Sequence, residues 1–256
     1  MGCVQGESNA LVGTGQDTYY KCALPYLVGS LRALFNSPAA PAAIVQLAPW
    51  ASSAPAYNQQ TARLREAQLE SSDPPSQAMY TITAVDKGDP YGPIGSIHPR
   101  AKKPVGDRLG GALLTHIYGT PTPYAGPRLA SATNGGGSAS AALSAMLRFS
   151  GAGAQGLTVI TPSANGPFAN SSTCPQGVGA ALCSGPMLQG NSGAWYAAQA
   201  TVSKDGSGLV LEVAESAARN ETRAVATASG WSLWPITLLY SNEGMMPAFP
   251  WNASVN

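Results

Sequence analysis

Charge is scarce in this chain of 256 residues: Lys and Arg number 14, Asp and Glu 13, and together they make up 11% of it. The net charge is +1, so no strong field exists to steer polyanions, and neither nucleic acid nor an anionic membrane is expected as a partner. Runs of like charge, the mark of interaction tails, are absent. No apolar stretch approaches the ~20 residues that a bilayer-spanning helix needs. The opening residues do not read as a secretory leader, and Met1-Gly2-Cys3 has Gly6 where a myristoylation pattern wants Ser or Thr. Histidine is rarer still, with only His98 and His116, and the four cysteines lack metal-ligand spacing. A zinc site is therefore not expected, and no cofactor is required by the chemistry argued below.

Apolar residues make up 44%, enough for a proper core, and 29 glycines with 21 prolines favour short strands joined by turns over long helical bundles. Cys174 and Cys183 flank a Gly-rich loop that a disulfide could close, whereas Cys3 and Cys22 pair only if a strand and a helix pack closely. Three sequons, at Asn170, Asn220 and Asn252, lie in the second half. With the cysteines, they make a glycoprotein of the secretory pathway, lysosomal or extracellular, the expected setting.

The first part of the chain alternates strand and helix patterns, as a parallel α/β sheet requires. Cys3-Val4-Gln5 reads as the end of a strand, and an opening so close to a buried strand leads us to expect further sequence ahead of it. Tyr19 to Phe35 carries Leu24, Leu27, Leu31 and Leu34 at helical spacing, with Pro25 marking a break or late start. Ala43 to Leu47 is a short buried strand, Tyr57 to Glu70 a polar helix expected on the surface, and Tyr80 to Val85 a further strand. A Gly- and Pro-rich loop from Asp86 to Pro99 precedes a helix over about Lys102 to Tyr118, whose stripe is Val105, Leu109, Leu113 and Ile117.

Gly119-Thr-Pro-Thr-Pro123 breaks this alternation. Strand-like segments follow at Leu143–Phe149, Leu157–Thr161, Trp195–Val202, Leu209–Val213, Thr222–Thr227 and Ile236–Tyr240. We expect an α/β domain over residues 1–119 and an all-β, sandwich-like domain over residues 120–256.

Ligand sites in open α/β sheets lie beyond the C-terminal ends of the strands, where Gln5-Gly6-Glu7 and the 86–98 loop both fall. A neutral imidazole at His98 could act as a general base, or be a loop histidine held by a backbone hydrogen bond. His116, within the last helix, reads as a packing or surface residue. Gly6-Glu7-Ser8-Asn9-Ala10 approaches a nucleophile elbow, except that Ala10 stands where the pattern has Gly. Ser8, then Asp86 or Asp89, then His98 follow the order of a Ser…Asp…His triad. Ser8 and Asn9 could equally turn the chain and cap the next segment.

Gln5-Gly6-Glu7-Ser8-Asn9-Ala10, Arg65-Glu66-Ala67-Gln68, Asp86-Lys-Gly-Asp89 and Gly95-Ser96-Ile97-His98-Pro99-Arg100 together resemble motifs of the sialate O-acetylesterase family of SGNH hydrolases. Val105-x-x-Arg108-Leu109 resembles the helix that follows them. Trp234-Pro235, Leu239-Tyr240-Ser241-Asn242 and Met246-Pro247-Ala248-Phe249-Pro250 resemble the family's ending. The resemblance implies a flavodoxin-like parallel sheet, present here only in part, and hydrolysis of an O-acetyl ester on a sialic acid-like sugar through a serine acyl-enzyme. His98 would be the base, Gln5 an oxyanion donor, and Asp86 or Asp89 the group orienting His98 unless a Ser–His dyad suffices. The family's nucleophile sits in a Gly-Gln-Ser-Asn block ahead of the Gln-Gly-Glu motif. No such block occurs here, so a missing N-terminal half, or a partner supplying it, is expected. The alternatives are a glycan-binding relative without activity and an enzyme recruiting Ser8.

Overall fold

The structure, a computed structural model, describes residues 2–11, 15–52, 56–72, 78–138, 140–151, 153–154, 156–163, 165 and 168–256. The first elements are β1 (Gly2–Val4), α1 (Glu7–Leu11), α2 (Gln16–Leu34), β2 (Ala42–Gln46), α3 (Ala56–Glu70), β3 (Met79–Thr83) and α4 (Lys103–Tyr118). The three strands form a parallel sheet in the order β1-β2-β3. Val4 lies opposite Val45, and Val45 opposite Ile82. Every residue of β2 is buried, as a parallel strand covered on both faces must be. Ile44 and Met79 pack with Tyr20, Leu24, Val28 and Leu64 of α2 and α3 on one face, while Val45 and Ile82 pack with Ala112 of α4 on the other.

Three helical expectations need correction. Helix α2 runs through Pro25 without interruption. One lost backbone hydrogen bond is outweighed by the burial of Tyr20, Leu24 and Val28 around it. Helix α3 is not a surface helix, because Thr61, Ala62, Leu64, Arg65, Ala67 and Gln68 are all buried. Arg65 and Gln68 are satisfied by the protein backbone instead of by water, whereas Thr61 Oγ1 is buried with no partner among the described residues. Helix α4 turns Arg108, Gly111 and Ala112 inward, while Val105 and Leu109 are half-buried and Ile117 is 48% exposed. Gly111 permits this rotation, since a side chain there would meet the Pro123 carbonyl at 2.9 Å.

The remaining elements are β4 (Arg128–Asn134), β5 (Ala141–Ser150), β6 (Leu157–Val159), α5 (Ala169–Ser172), β7 (Cys183–Ser184), β8 (Met187–Gly190), β9 (Trp195–Ala197) and β10 (Gln199–Val202). They continue through β11 (Gly208–Ala214), β12 (Ala224–Ser229), β13 (Trp234–Pro235), β14 (Leu239–Ser241) and β15 (Trp251–Ser254). Two four-stranded antiparallel sheets, β10-β11-β5-β4 and β15-β12-β8-β9, share one apolar core that includes Leu143, Leu147, Leu188, Leu209, Leu211 and Trp251. The strand expected over Trp195–Val202 is two strands. The chain leaves one sheet and enters the other at Ala198, whose N–H donates to the Pro186 carbonyl at 2.9 Å. Cys174 and Cys183 form a disulfide, and Cys22 is a free, exposed thiol. The side chain of Cys3, for which a link to Cys22 was considered, lies outside the described residues.

Arg65 joins the two parts. Its guanidinium is fully buried and donates to the carbonyls of Leu47 (2.9 Å) and Ala48 (2.9 Å) beyond β2, and to those of Ser232 (2.6 Å) and Leu233 (3.2 Å) just before β13. Burial lowers its pKa to about 9, which leaves the group charged at neutral pH. Asn58 adds to the junction by accepting from Leu233 N–H at 2.6 Å, and Trp50 N–H donates to the Leu233 carbonyl at 3.0 Å. Arg65→Ala strands these acceptors in a dry interior, so we expect a loss of about 3 kcal/mol or more in urea unfolding, with Arg65→Lys recovering only part of it.

The free edge of β1 has a different character. Among the described residues β1 pairs only with β2, and Val4 on it is 61% exposed. The outer side of α2 leaves Tyr26 at 79% exposure, along an apolar groove of about 710 Å³ that also meets Gln5, Tyr19 and Leu27, and Phe35 just beyond the helix is 71% exposed. An unpaired edge beside so much bare apolar surface promotes association. Light scattering on the purified chain should show mass rising with concentration, and a monomer at all concentrations would contradict this.

Candidate active site

Two loops emerge at the same end of the parallel sheet, one after β1 and one after β3. In the first, Gly6 has φ +130, and a Cβ there would lie 3.1 Å from Gln68 Nε2 and 3.2 Å from Leu64. Only glycine turns the chain this way so close to α3. The Gln5 carbonyl accepts from Gln68 Nε2 at 2.8 Å and from the Tyr20 hydroxyl at 3.0 Å. Gln68 Oε1 in turn accepts from Leu47 N–H at 3.0 Å, so one buried amide bridges the ends of β1 and β2. The Gln5 side chain itself is exposed and donates to Asn9 Oδ1 at 2.9 Å.

The second loop is wound as three successive turns: Gly92 N–H donates to Asp89 O, Gly95 N–H to Gly92 O, and His98 N–H to Gly95 O, each at 3.0–3.1 Å. Its base is clamped by Asp89, which accepts from Arg100 Nε (2.7 Å), Nη2 (2.9 Å) and backbone N–H (3.1 Å). These bonds from Arg100 hold the Asp89 carboxyl below its ordinary pKa. Ser96, buried inside the loop, accepts from Ala51 N–H at 2.7 Å and so ties the loop to the end of β2. The loop therefore presents His98 from a fixed frame, with its side chain exposed.

Asp86 lies deeper. It receives Arg108 in a two-point pair (2.7 and 2.8 Å) and Lys87 Nζ at 2.8 Å. Burial alone would raise its pKa, but the bonds and charges of Arg108 and Lys87 outweigh burial and hold it below the ordinary value. The β-rich part covers this pair. Trp234 packs on Gly88, where any side chain would run into the indole, and its Nε1–H donates to Asn170 O at 3.2 Å. Burial first, and then the charge of Asp86, raise the pKa of Tyr240.

The sequence-derived candidates are thus gathered at one end of the sheet, but they do not form a connected triad. Asp86 and Asp89 each face an arginine, and neither carboxylate is hydrogen-bonded to His98. Ser8 lies exposed within α1 and has no hydrogen bond to His98. Gln5 and His98 are on loops that flank β2, so about two strand spacings, or ~10 Å, part the strands that carry them. His116 is a packing residue: its ring stacks on Tyr80 at 3.6 Å, and Nε2 lies 2.7 Å from the Tyr124 hydroxyl. The roles of Arg65, Gln68, Arg108 and Trp234 were not apparent from local pattern. The available signal was the recurrence of their motifs in one order along the chain. Among the described residues, no group of three or more His, Cys, Asp or Glu side chains is placed to hold a metal ion.

No protein-family model and no curated protein matches this chain. Among solved structures, it resembles a crystal structure described as a novel carbohydrate acetylesterase from Xanthomonas citri, with a TM-score of 0.70 and 24% identity. The match covers 97% of this chain and 49% of that one, so the chain spans about half the length of that structure. The two share a fold over this span.

The Asp86–Arg108 pair generates a pH dependence. Because the folded pKa of Asp86 is lowered, its stabilisation is complete above about pH 4 and is lost as pH falls through the folded value. Asp86→Asn should cost about 3 kcal/mol or more at neutral pH by leaving Arg108 buried without an anion. It should also flatten the acid side of the unfolding profile. An unaltered acid limb would assign that limb to other carboxylates.

Proposed function

We propose that this chain is part of a carbohydrate acetylesterase, of the sialate O-acetylesterase type, that removes O-acetyl groups from a sugar through a serine acyl-enzyme. The observation that carries the reading is the fold shared with a carbohydrate acetylesterase, with His98 exposed on a clamped loop at the strand ends. In the proposed reaction, His98 takes the serine hydroxyl proton as the oxygen bonds to the acetyl carbon. The proton then passes to the departing sugar oxygen, and water, deprotonated by the same imidazole, releases acetate. Gln5 supplies an amide N–H to the oxyanion. The Asp89–Arg100 and Asp86–Arg108 pairs position the His98 loop without touching the ring, which makes a Ser–His dyad the simpler mechanism. The serine belongs on polypeptide added at the free β1 edge, since the C-terminal end of a parallel strand placed there would lie beside Gln5.

Residues 1–119 would then belong to an SGNH-like hydrolase domain and residues 120–256 to a β-sandwich that roofs its Asp86 side. The Cys174–Cys183 disulfide and the exposed Asn170, Asn220 and Asn252 favour a secretory or lysosome-like setting. One observation favours a second reading, a glycan binder without activity: the His98 imidazole has no carboxylate partner among the described residues.

Acetate release from acetylated sugars by the polypeptide that contains this chain tests the proposal. His98→Ala should lower turnover by about three orders of magnitude, and Gln5→Ala by about two. Turnover indifferent to His98 would sink the esterase reading. A fluorophosphonate probe with mass spectrometry locates the nucleophile, and a His98-dependent label on Ser8 would mean that no further strand is needed.

A further inference from the structure

A groove of about 450 Å³ runs between α3 and the β-rich part, away from the His98 loop. It is lined by Asn58, Gln59 and Arg63 of α3 and by Ser184, Trp195 and Trp231, and among the described residues none of its lining is acidic. Several of these groups are poorly satisfied by the protein alone. Trp195, on β9, lines the groove and leaves 39% of its surface in water, so its indole is open to a ligand. The Ser184 hydroxyl is buried and has no hydrogen-bond partner among the described residues, a cost that a bound polar group would remove. Among the described residues, the exposed Arg63 guanidinium makes no hydrogen bond or salt bridge, although its charge acts on Glu66 on the same helix.

Flat aromatic faces beside side-chain amides, a hydroxyl and a guanidinium suit a ligand with an apolar face and a polar rim. A pyranose ring has that shape: its C–H face lies against an indole, while its hydroxyls both donate and accept. A lipid chain would leave the Gln59 amide and the guanidinium unpaired, and a nucleotide would bring more negative charge than one arginine balances. The volume lies within the ~300–1,000 Å³ of small-ligand sites. We infer that this groove binds a sugar residue of a glycan, with Trp195 and Trp231 as stacking platforms and Arg63 with Gln59 as hydrogen-bonding groups.

The site is distinct from the candidate active site, and one short segment of chain borders both. Trp231 and Ser232 line the groove, and Trp234, on the same short segment, packs over Gly88 in the other loop. The proposal concerns binding, and it stands whether or not the chain takes part in ester hydrolysis.

Tryptophan fluorescence and calorimetry on the full chain, titrated with neutral gluco-, xylo- and manno-oligosaccharides and with galacturonate and sialylated oligosaccharides, provide the test. At least one series should bind, and Trp195→Ala should weaken that binding about tenfold or more, with Trp195→Phe losing less. Arg63→Ala should weaken carboxylated ligands selectively if the sugar is acidic, and all ligands alike if it is neutral. His98→Ala should leave binding unchanged, which separates this groove from the esterase reading. Both Trp195 and Arg63 are exposed, so the variants should keep the parent melting curve. Absence of binding in every series, or binding indifferent to both Trp195→Ala and Arg63→Ala, would overturn the proposal even if acetate release were observed.

Discussion

A guanidinium buried without a carboxylate must satisfy its N–H groups from carbonyl oxygens alone, and at Arg65 that demand fixes how the two parts of the chain meet. Leu47 and Ala48 belong to the exit of the parallel sheet, Ser232 and Leu233 to the β-rich part. Charge-assisted bonds to carbonyls are stronger than neutral ones, and their loss in a dry site is costly. Residues 231–235 therefore cannot slide or lift without stranding a charge. Through Trp234 the same segment presses on Gly88, at the start of the loop that carries His98. The rigidity of that loop is thus inherited in part from an arginine on a helix two elements earlier.

Within the loop, division of labour among the charged groups follows from geometry. A carboxylate gripped at both oxygens by a guanidinium has its favoured acceptor directions occupied, as Asp86 and Asp89 do. Such an aspartate orients backbone well and an imidazole poorly. Asp89 closes the base of the turns, Asp86 ties β3 to α4, and Ser96 fastens the middle of the loop to the end of β2. The imidazole is left exposed on a frame that is itself over-determined, which is how a side chain is kept accessible yet placed.

Much of this was legible from the chain, and the reasons for the exceptions are instructive. Strand, loop and helix around His98 could be read because turn residues and apolar periodicity are local signals. Helix α3 was misread because Arg65 looks like a solvent-facing residue until the carbonyls that surround it are known. Those acceptors lie 17–18 and 167–168 residues away in sequence. Trp195–Val202 reads as one strand because alternation does not register the switch of sheets at Ala198. Ser8, Asp86, Asp89 and His98 fall in triad order along the chain, but order says nothing of distance, and the arginines that claim both aspartates are invisible to a pattern of Ser, Asp and His.

The exposed chemistry at the strand ends lies on the side away from the β-rich roof. Trp234, Asn170 and Ser171 cover the Asp86 side, whereas Gln5, Ser8 and His98 remain open. The same open side continues into the free edge of β1 and the bare apolar face of α2. A parallel strand is normally buried on both faces and bonded on both edges, and β2 meets that rule where β1 meets only half of it. Polar groups suited to chemistry and apolar groups suited to burial thus share one border. Polypeptide that covered the apolar part would lie against Gln5 and narrow the approach to His98, so completing the sheet and enclosing the site would be a single structural event.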